Sequence, residues 1–260
     1  MHEALHPDSH HKVDVSTYLR DFGRLPLGHT GPDPRKPARC PFCKQALRVV
    51  GDKHGSSTTG HFAHKPKSGF CPSKIKAGRP YLDLKARQLD PLRGRALRVA
   101  FKATWQQHLR QLEGMVPRLH QDEFLNLLML AGQWRIWEYA DLQIGHIPYV
   151  LVTLADFSPR TGRSDEKGAP LRRLWLRFIY DSSMRHIEDL WIRPDTPPAL
   201  FRVTYLPLPG GGIPPNKNLR GNTPIPISTT FLSTPVSPPI PAWLVANVER
   251  WIATNWKDVP

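Results

Sequence analysis

Cys40, Cys43, His61, His64 and Cys71 are the residues of this chain whose types and spacing can do defined chemistry. Thiolate sulfur and neutral imidazole nitrogen are the usual ligands of a tetrahedral zinc ion. Cys40 and Cys43 form a C-x2-C pair, whose turn lets both sulfurs face one ion. His61 and His64 form H-x2-H after seventeen intervening residues, and Cys71 follows after six more. Five candidates thus compete for four places. Cys40 and Cys43 come first, and His64 with Cys71 is the preferred second pair, because the residues between them can form a second loop. The rival is a site that uses His61 and His64 together. Residues three apart on a strand do not share a face, so that rival needs a bend between the histidines.

All three cysteines lie in this cluster, so the thiols cannot all pair as disulfides within the chain, and metal ligation is their first reading. A catalytic ion keeps one position open for water and needs a general base nearby. The acidic residues close in sequence are only Asp33 and Asp52. The spacing therefore predicts a closed, structural zinc ion on which a lobe with little core of its own depends for folding.

A hairpin must carry the histidines back to the first cysteines: Ala46–Val50, a Gly-rich turn, then Gly60–Ala63. Before it, residues 1–12 read as a disordered His-rich tail, and Pro26, Pro32, Pro34 and Pro37 argue against a long helix. After it, Asp90-Pro91 is a helix start, with Asp as cap and Pro as first helical residue. Leu92, Ala96, Val99, Ala100 and Ala103 then recur at helical spacing as the expected core face. Pro117 ends this helix, and a second runs from about Asp122 to Ala131.

Residues 149–157, 171–180 and 200–206 read as strands bounded by turn formers. Leu174, Leu176, Phe178 and Tyr180 alternate as one apolar face, with Arg173 and Arg177 on the other. Residues 207–241 hold ten prolines, which remove ladder donors and fix φ, and so read as an extended arm. An amphipathic helix over residues 242–256 closes the chain. The expected fold class is α+β, in four parts: an N-terminal segment over 1–37, a zinc-binding module over 38–80, helices packed on a small antiparallel sheet over 81–206, and a Pro-rich arm with a C-terminal helix over 207–260.

The net charge is +14 and is unevenly spread: residues 1–118 hold 22 Lys and Arg against 9 Asp and Glu, while residues 119–260 hold 14 against 13. Such asymmetry points to a polyanionic partner, most simply nucleic acid. The densest basic run offers Lys65, Lys67, Lys74, Lys76, Arg79, Lys85, Arg87, Arg93, Arg95 and Arg98 as phosphate contacts. Phosphate contacts are independent of sequence and sensitive to salt. No apolar stretch reaches the ~20 residues of a membrane span, and the N-terminus lacks the pattern of a secretory signal. The expected location is the cytoplasm.

At CPFC…GHFAHK, over about residues 38–72, the chain resembles the N-terminal zinc-finger-like region of the competence protein CoiA family. That resemblance implies a DNA-related module, and the family's nuclease part implies metal-dependent cleavage of DNA. The sequel KPKSGFCPSKIKAGRPYLDLKAR departs from the family's acidic, histidine and lysine set. Asp83 and Lys85 alone offer half of a D-x-K site. There is no phosphate-binding glycine motif, because Gly210, Gly211 and Gly212 precede no helix. Ser182, Ser183, His186 and Asp189 read as an ordinary polar turn. The expected function is a zinc-stabilised, non-enzymatic accessory protein that grips nucleic acid, most simply DNA. Its rivals are a nuclease, and an adaptor that takes a protein partner through the Pro-rich arm and the C-terminal half.

Overall fold

The computed structural model describes residues 3–9, 11–41, 44–51, 60–66, 68, 71, 88–160, 172–180, 188 and 200–257. The chain is α+β and divides into two compact units, Met1–Ile75 and Lys76–Pro260. The boundaries differ from the four-part division expected from composition. The N-terminal segment folds with the Cys/His cluster, and the Pro-rich arm folds with the helices and sheet.

In the first unit, the expected tail is a ladder. Strand β1 (Glu3–Leu5) pairs antiparallel with β2 (Lys12–Asp14), setting Ala4 opposite Val13. Both side chains are buried, which compensates the ordering of so short a hairpin. Asp14 ends β2 and caps helix α1 (Val15–Phe22): its carboxylate accepts from Thr17 N at 2.7 Å and Ser16 Oγ at 2.8 Å. This cap signal and Gly23 at φ 77° mark a short helix that the neighbouring prolines had masked in the sequence. Helix α1 lays Tyr18 and Leu19 into the core. Strands β3 (Leu47–Val50) and β4 (His61–His64) form the anticipated hairpin, with Leu47 opposite His64 and Val50 opposite His61.

In the second unit, helix α2 (Pro91–Met115) begins at Asp90, whose carboxylate accepts from Arg93 N at 3.0 Å. It kinks at Thr104, where φ is −130° and the hydroxyl donates to Ala100 O at 2.9 Å. Side-chain back-bonding of this kind bends helices. The core face of α2 is the reverse of the one the spacing suggests. Leu97, Phe101 and Trp105 are buried, while Leu92 is 84% exposed. Gly94 lets the helix approach the segment after α3, since a Cβ there would lie 3.0 Å from Trp137 O.

Helix α3 (Gln121–Gln133) has His120 as its N-cap. Glu123 completes a capping box by accepting from His120 N at 3.0 Å. The run expected as a strand over 149–157 opens instead with helix α4 (Ile147–Leu151), entered through Pro148. A continuous apolar run fits a buried helix as well as a strand, and Pro near a helix start favours the former. Strands β5 (Trp175–Tyr180), β6 (Leu200–Tyr205) and β7 (Leu219–Ile225) make one antiparallel sheet in that order. Leu176 to Tyr180 are all buried, so both faces of β5 are covered and the expected polar face is absent. Arg177, placed on that face by alternation, is 1% exposed and forms a bidentate ion pair with Asp156.

The Pro-rich arm supplies β7 and then straps the helices. Pro224 is tolerated because β7 is an edge strand. Beyond it, the hydroxyl of Tyr149 donates to Ser228 O at 2.8 Å and accepts from Ser228 N at 3.0 Å. Phe231 sets its edge on the ring of His108, with centroids 5.2 Å apart. Arg110 donates to the carbonyl of Pro238. Helix α5 (Ala242–Asn255) then buries Val248 and Ile252, and Trp256 closes on Phe101 and Trp137. Among the described residues no helix is long and apolar enough to cross a membrane.

Candidate metal centre

Three chain segments bring the candidate ligands together. The first enters through an extended run that pairs on both edges. Arg39 bridges Leu5 on one side and Ala46 on the other, and Leu47 N donates to Ala38 O at 2.7 Å. Arg39 also staples the turn between β1 and β2, donating to Ser9 O at 2.6 Å. At Cys40 the chain turns sharply: Lys44 N donates to Cys40 O at 2.9 Å and Cys40 N to Gln45 O at 2.8 Å. Lys44 takes the left-handed conformation, φ 63°, which closes a tight turn at some cost for a residue with a Cβ.

The second segment is β4. Phe62 and His64 lie two apart and so share a face. Phe62 is buried, in edge-on contact with Tyr18 at 5.6 Å, and His64 is half-buried, whereas His61 on the alternate face is exposed. The third is Cys71, also buried.

The ligand atoms of Cys40, His64 and Cys71 all lie within 4.8 Å of one another, and the two sulfurs are 3.6 Å apart. Two thiols and an imidazole facing one point are a donor set for a soft or borderline metal ion. Hard cations take oxygen ligands instead. Both cysteines belong to the core cluster, with Ala4, Val13, Tyr18, Leu19, Ala38, Leu47 and Phe62 packed around them. The site is therefore continuous with the small core of this unit. Asp33 is occupied elsewhere: Arg35 donates to it through Nε at 2.8 Å and Nη2 at 2.7 Å. Those hydrogen bonds hold its carboxyl below the usual carboxylate range.

Of the five sequence candidates, the structure gathers Cys40, His64 and Cys71, and sets His61 outside the group. Cys43 lies outside the described residues, as do Lys67, Lys74, Lys76, Arg79, Lys85 and Arg87, together with Asp83 and the Ser182, Ser183, His186 and Asp189 turn. Lys65, directly after His64, is exposed. Arg93 and Arg95 are exposed on the first turns of α2, and Arg98 is half-buried. The sequence reading missed Tyr18 from α1 and Ala4 from β1, which share the core cluster of Cys40 and Cys71. The Asp14 cap was the signal that could have found α1.

A family described as Domain of unknown function (DUF7830) matches residues 33–77. That span contains all five of the Cys and His candidates and ends two residues into the second unit. No curated protein matches the chain, and no solved structure does.

Proposed function

We propose that the first unit is a zinc-stabilised module and that the protein uses it to grip the phosphate backbone of nucleic acid. The observation that carries the metal part is the 3.6 Å separation of the Cys40 and Cys71 sulfurs beside His64. Two sulfurs each about 2.3 Å from one tetrahedral zinc ion stand about 3.8 Å apart. Cys43 takes the fourth place in this reading, because a C-x2-C pair presents both sulfurs to one ion. A full set of four protein ligands leaves no position for a reacting water, so the ion supports folding, not catalysis.

The nucleic-acid part rests on charge. The excess of Lys and Arg lies almost wholly before residue 119, and Lys65 stands exposed beside a ligand. Lys67, Lys74 and Lys76 continue the run in sequence. The resemblance to the CoiA zinc-finger-like region favours DNA over RNA. Backbone contacts of this kind give little sequence preference and a steep dependence on salt.

The test has two arms. Elemental analysis of the purified chain is expected to give about one zinc per molecule, as a tetrahedral structural site holds one ion; little zinc, with the unit still folded in chelator, overturns the metal reading. Gel-shift titration of a labelled duplex and its single strand in rising salt is expected to show retention that weakens with salt, and weakens further in Lys65→Glu/Lys67→Glu. No retention at low salt overturns the nucleic-acid reading and leaves the zinc result standing.

A further inference from the structure

The first half of α2 has two apolar faces on opposite sides. Gly94, Leu97 and Phe101 face inward and are buried. At 100° per residue, Leu92, Ala96, Val99 and Ala103 cluster on the opposite side of the same straight stretch, before the kink at Thr104. Leu92 is 84% exposed and Val99 38%, and Ala96, Ala100 and Ala103 are exposed with them. Single apolar residues on a surface need no explanation, but a contiguous ridge marks an interaction site. At ~1.5 Å per residue this ridge runs for roughly 16 Å.

The ridge has a charged border on each side. Arg93 stands along one edge, and Arg95 along the other, both exposed. From Leu92 to Leu112 the helix contains no Asp or Glu. Its first turn carries no acid inside the helix, and Asp90 at the N-cap directs its carboxylate to Arg93 N, so the positive charge of this face comes from the arginines. The complement is an apolar stripe flanked by carboxylates.

We propose that this face of α2 docks an acidic amphipathic helix of a protein partner. Its apolar stripe packs against Leu92 and Val99, with close approach over the small Ala96 and Ala103, and its Asp or Glu side chains meet Arg93 and Arg95. Helix-in-groove recognition uses such anchors at helical spacing, and charge at the border sets the encounter and the orientation. A nucleic-acid backbone would satisfy the arginines but leave the ridge without an apolar counterpart. A second copy of this chain would bring arginine against arginine. This inference is independent of the phosphate contacts proposed for the metal unit, and it assigns Arg93 and Arg95 to carboxylates.

The experiment uses the full chain and a fluorescent helical peptide of about 18 residues, with Leu on one face and Glu on its borders. A scrambled peptide of the same composition is the control. The amphipathic peptide is expected to bind about tenfold or more tightly than the scrambled one, and Leu92→Glu/Ala96→Glu is expected to remove that preference. Arg93→Glu/Arg95→Glu is expected to invert the choice, favouring a Lys-bordered peptide. All four positions are exposed, and unchanged circular dichroism shows that each variant is folded. Equal binding of the scrambled peptide, or indifference to the ridge substitutions, overturns the proposal. So does a concentration-dependent dimer, or binding to a DNA duplex or to phosphatidylglycerol vesicles, that Leu92→Glu/Ala96→Glu abolishes while peptide binding persists. Lys65→Glu/Lys67→Glu leaves peptide binding unchanged, so failure of the two readings can be told apart.

Discussion

The sulfur of Cys40 lies 3.6 Å from that of Cys71, across 31 positions of sequence. Between them run the turn after Cys40, the β3–β4 hairpin and the return from His64, so one ion at this point closes the whole segment into a loop. Among the described residues, the unit it closes has a core cluster of nine buried residues, two of which are the cysteines themselves. A core this small supplies little stability by itself, and a bound metal ion would add to it directly.

Cys71→Ser and Cys40→Ser are therefore expected to lose bound metal and unfold the first unit, while His61→Ala keeps the metal. Elemental analysis paired with limited proteolysis reads both properties. Retention of a full complement of metal by Cys71→Ser, or its loss from His61→Ala, would show that the ligand set is a different one.

His108 gives the second unit a pH signature. Its ring is fully buried, stacked on Phe101 at 4.7 Å, and among the described residues neither nitrogen has a hydrogen-bond partner. Burial pushes its pKa down to about 3. The unfolded chain protonates this group near its ordinary pKa of about 6.5, so below that pH the unfolded state binds the extra proton. Stability is fully present above about pH 6.5 and falls toward pH 3, by up to about 1.4 kcal/mol per pH unit from this group. His108→Phe is expected to flatten the thermal midpoint between pH 6.5 and pH 5, where few carboxylates titrate. An unchanged slope would mean that the ring is reached by water in solution.

The parts legible in the sequence were those whose chemistry is local. Ligand spacing marked Cys40, His64 and Cys71, a group that could hold a metal ion, and the hairpin that returns His64 to it, and the parity argument separated His61 from His64. Asp90-Pro91 marked the start of α2 to the residue. What failed needed tertiary information. Leu92, Ala96 and Val99 form a regular apolar stripe, yet Gly94 and Phe101 define the buried face, because a glycine counts as neutral in any hydropathy pattern and here admits close approach of the backbone at Trp137. Arg177 broke the alternation of β5 because its partner Asp156 is distant in sequence and equally buried. The proline content of residues 207–241 marked an extended arm, but it could not show that Leu219–Ile225 pairs as the edge strand of the sheet or that the arm lies on its own domain.

The Arg177–Asp156 pair is a bidentate contact with both side chains almost wholly buried. Asp156→Ala leaves the guanidinium without its counter-ion in a desolvated place and is expected to destabilise by about 3–5 kcal/mol. The double replacement Arg177→Met/Asp156→Leu removes both charges and is expected to recover most of that loss. Chemical denaturation of the three proteins checks the cycle. A double variant as unstable as Asp156→Ala would mean that the pair organises the sheet in a way apolar packing cannot replace.

The strap is tested where it passes Gly145. A Cβ on Gly145 would collide with the Cγ2 methyl of Thr229 and stand 2.8 Å from its Cβ. Thr229 follows Ser228, whose backbone is held on both sides by the Tyr149 hydroxyl, so the arm cannot easily withdraw. Gly145→Ala is thus an overpacking substitution, expected to destabilise by about 1–3 kcal/mol. Thr229→Ala removes the methyl and is expected to return part of this in combination, a coupling that additive, unconnected sites do not show. Tyr149→Phe loses the paired hydrogen bonds to Ser228 and frees the arm to move, so in that background Gly145→Ala is expected to cost less. If Gly145→Ala is neutral, or if its effect is the same whatever stands at 149 and 229, then the arm does not rest on this turn in solution.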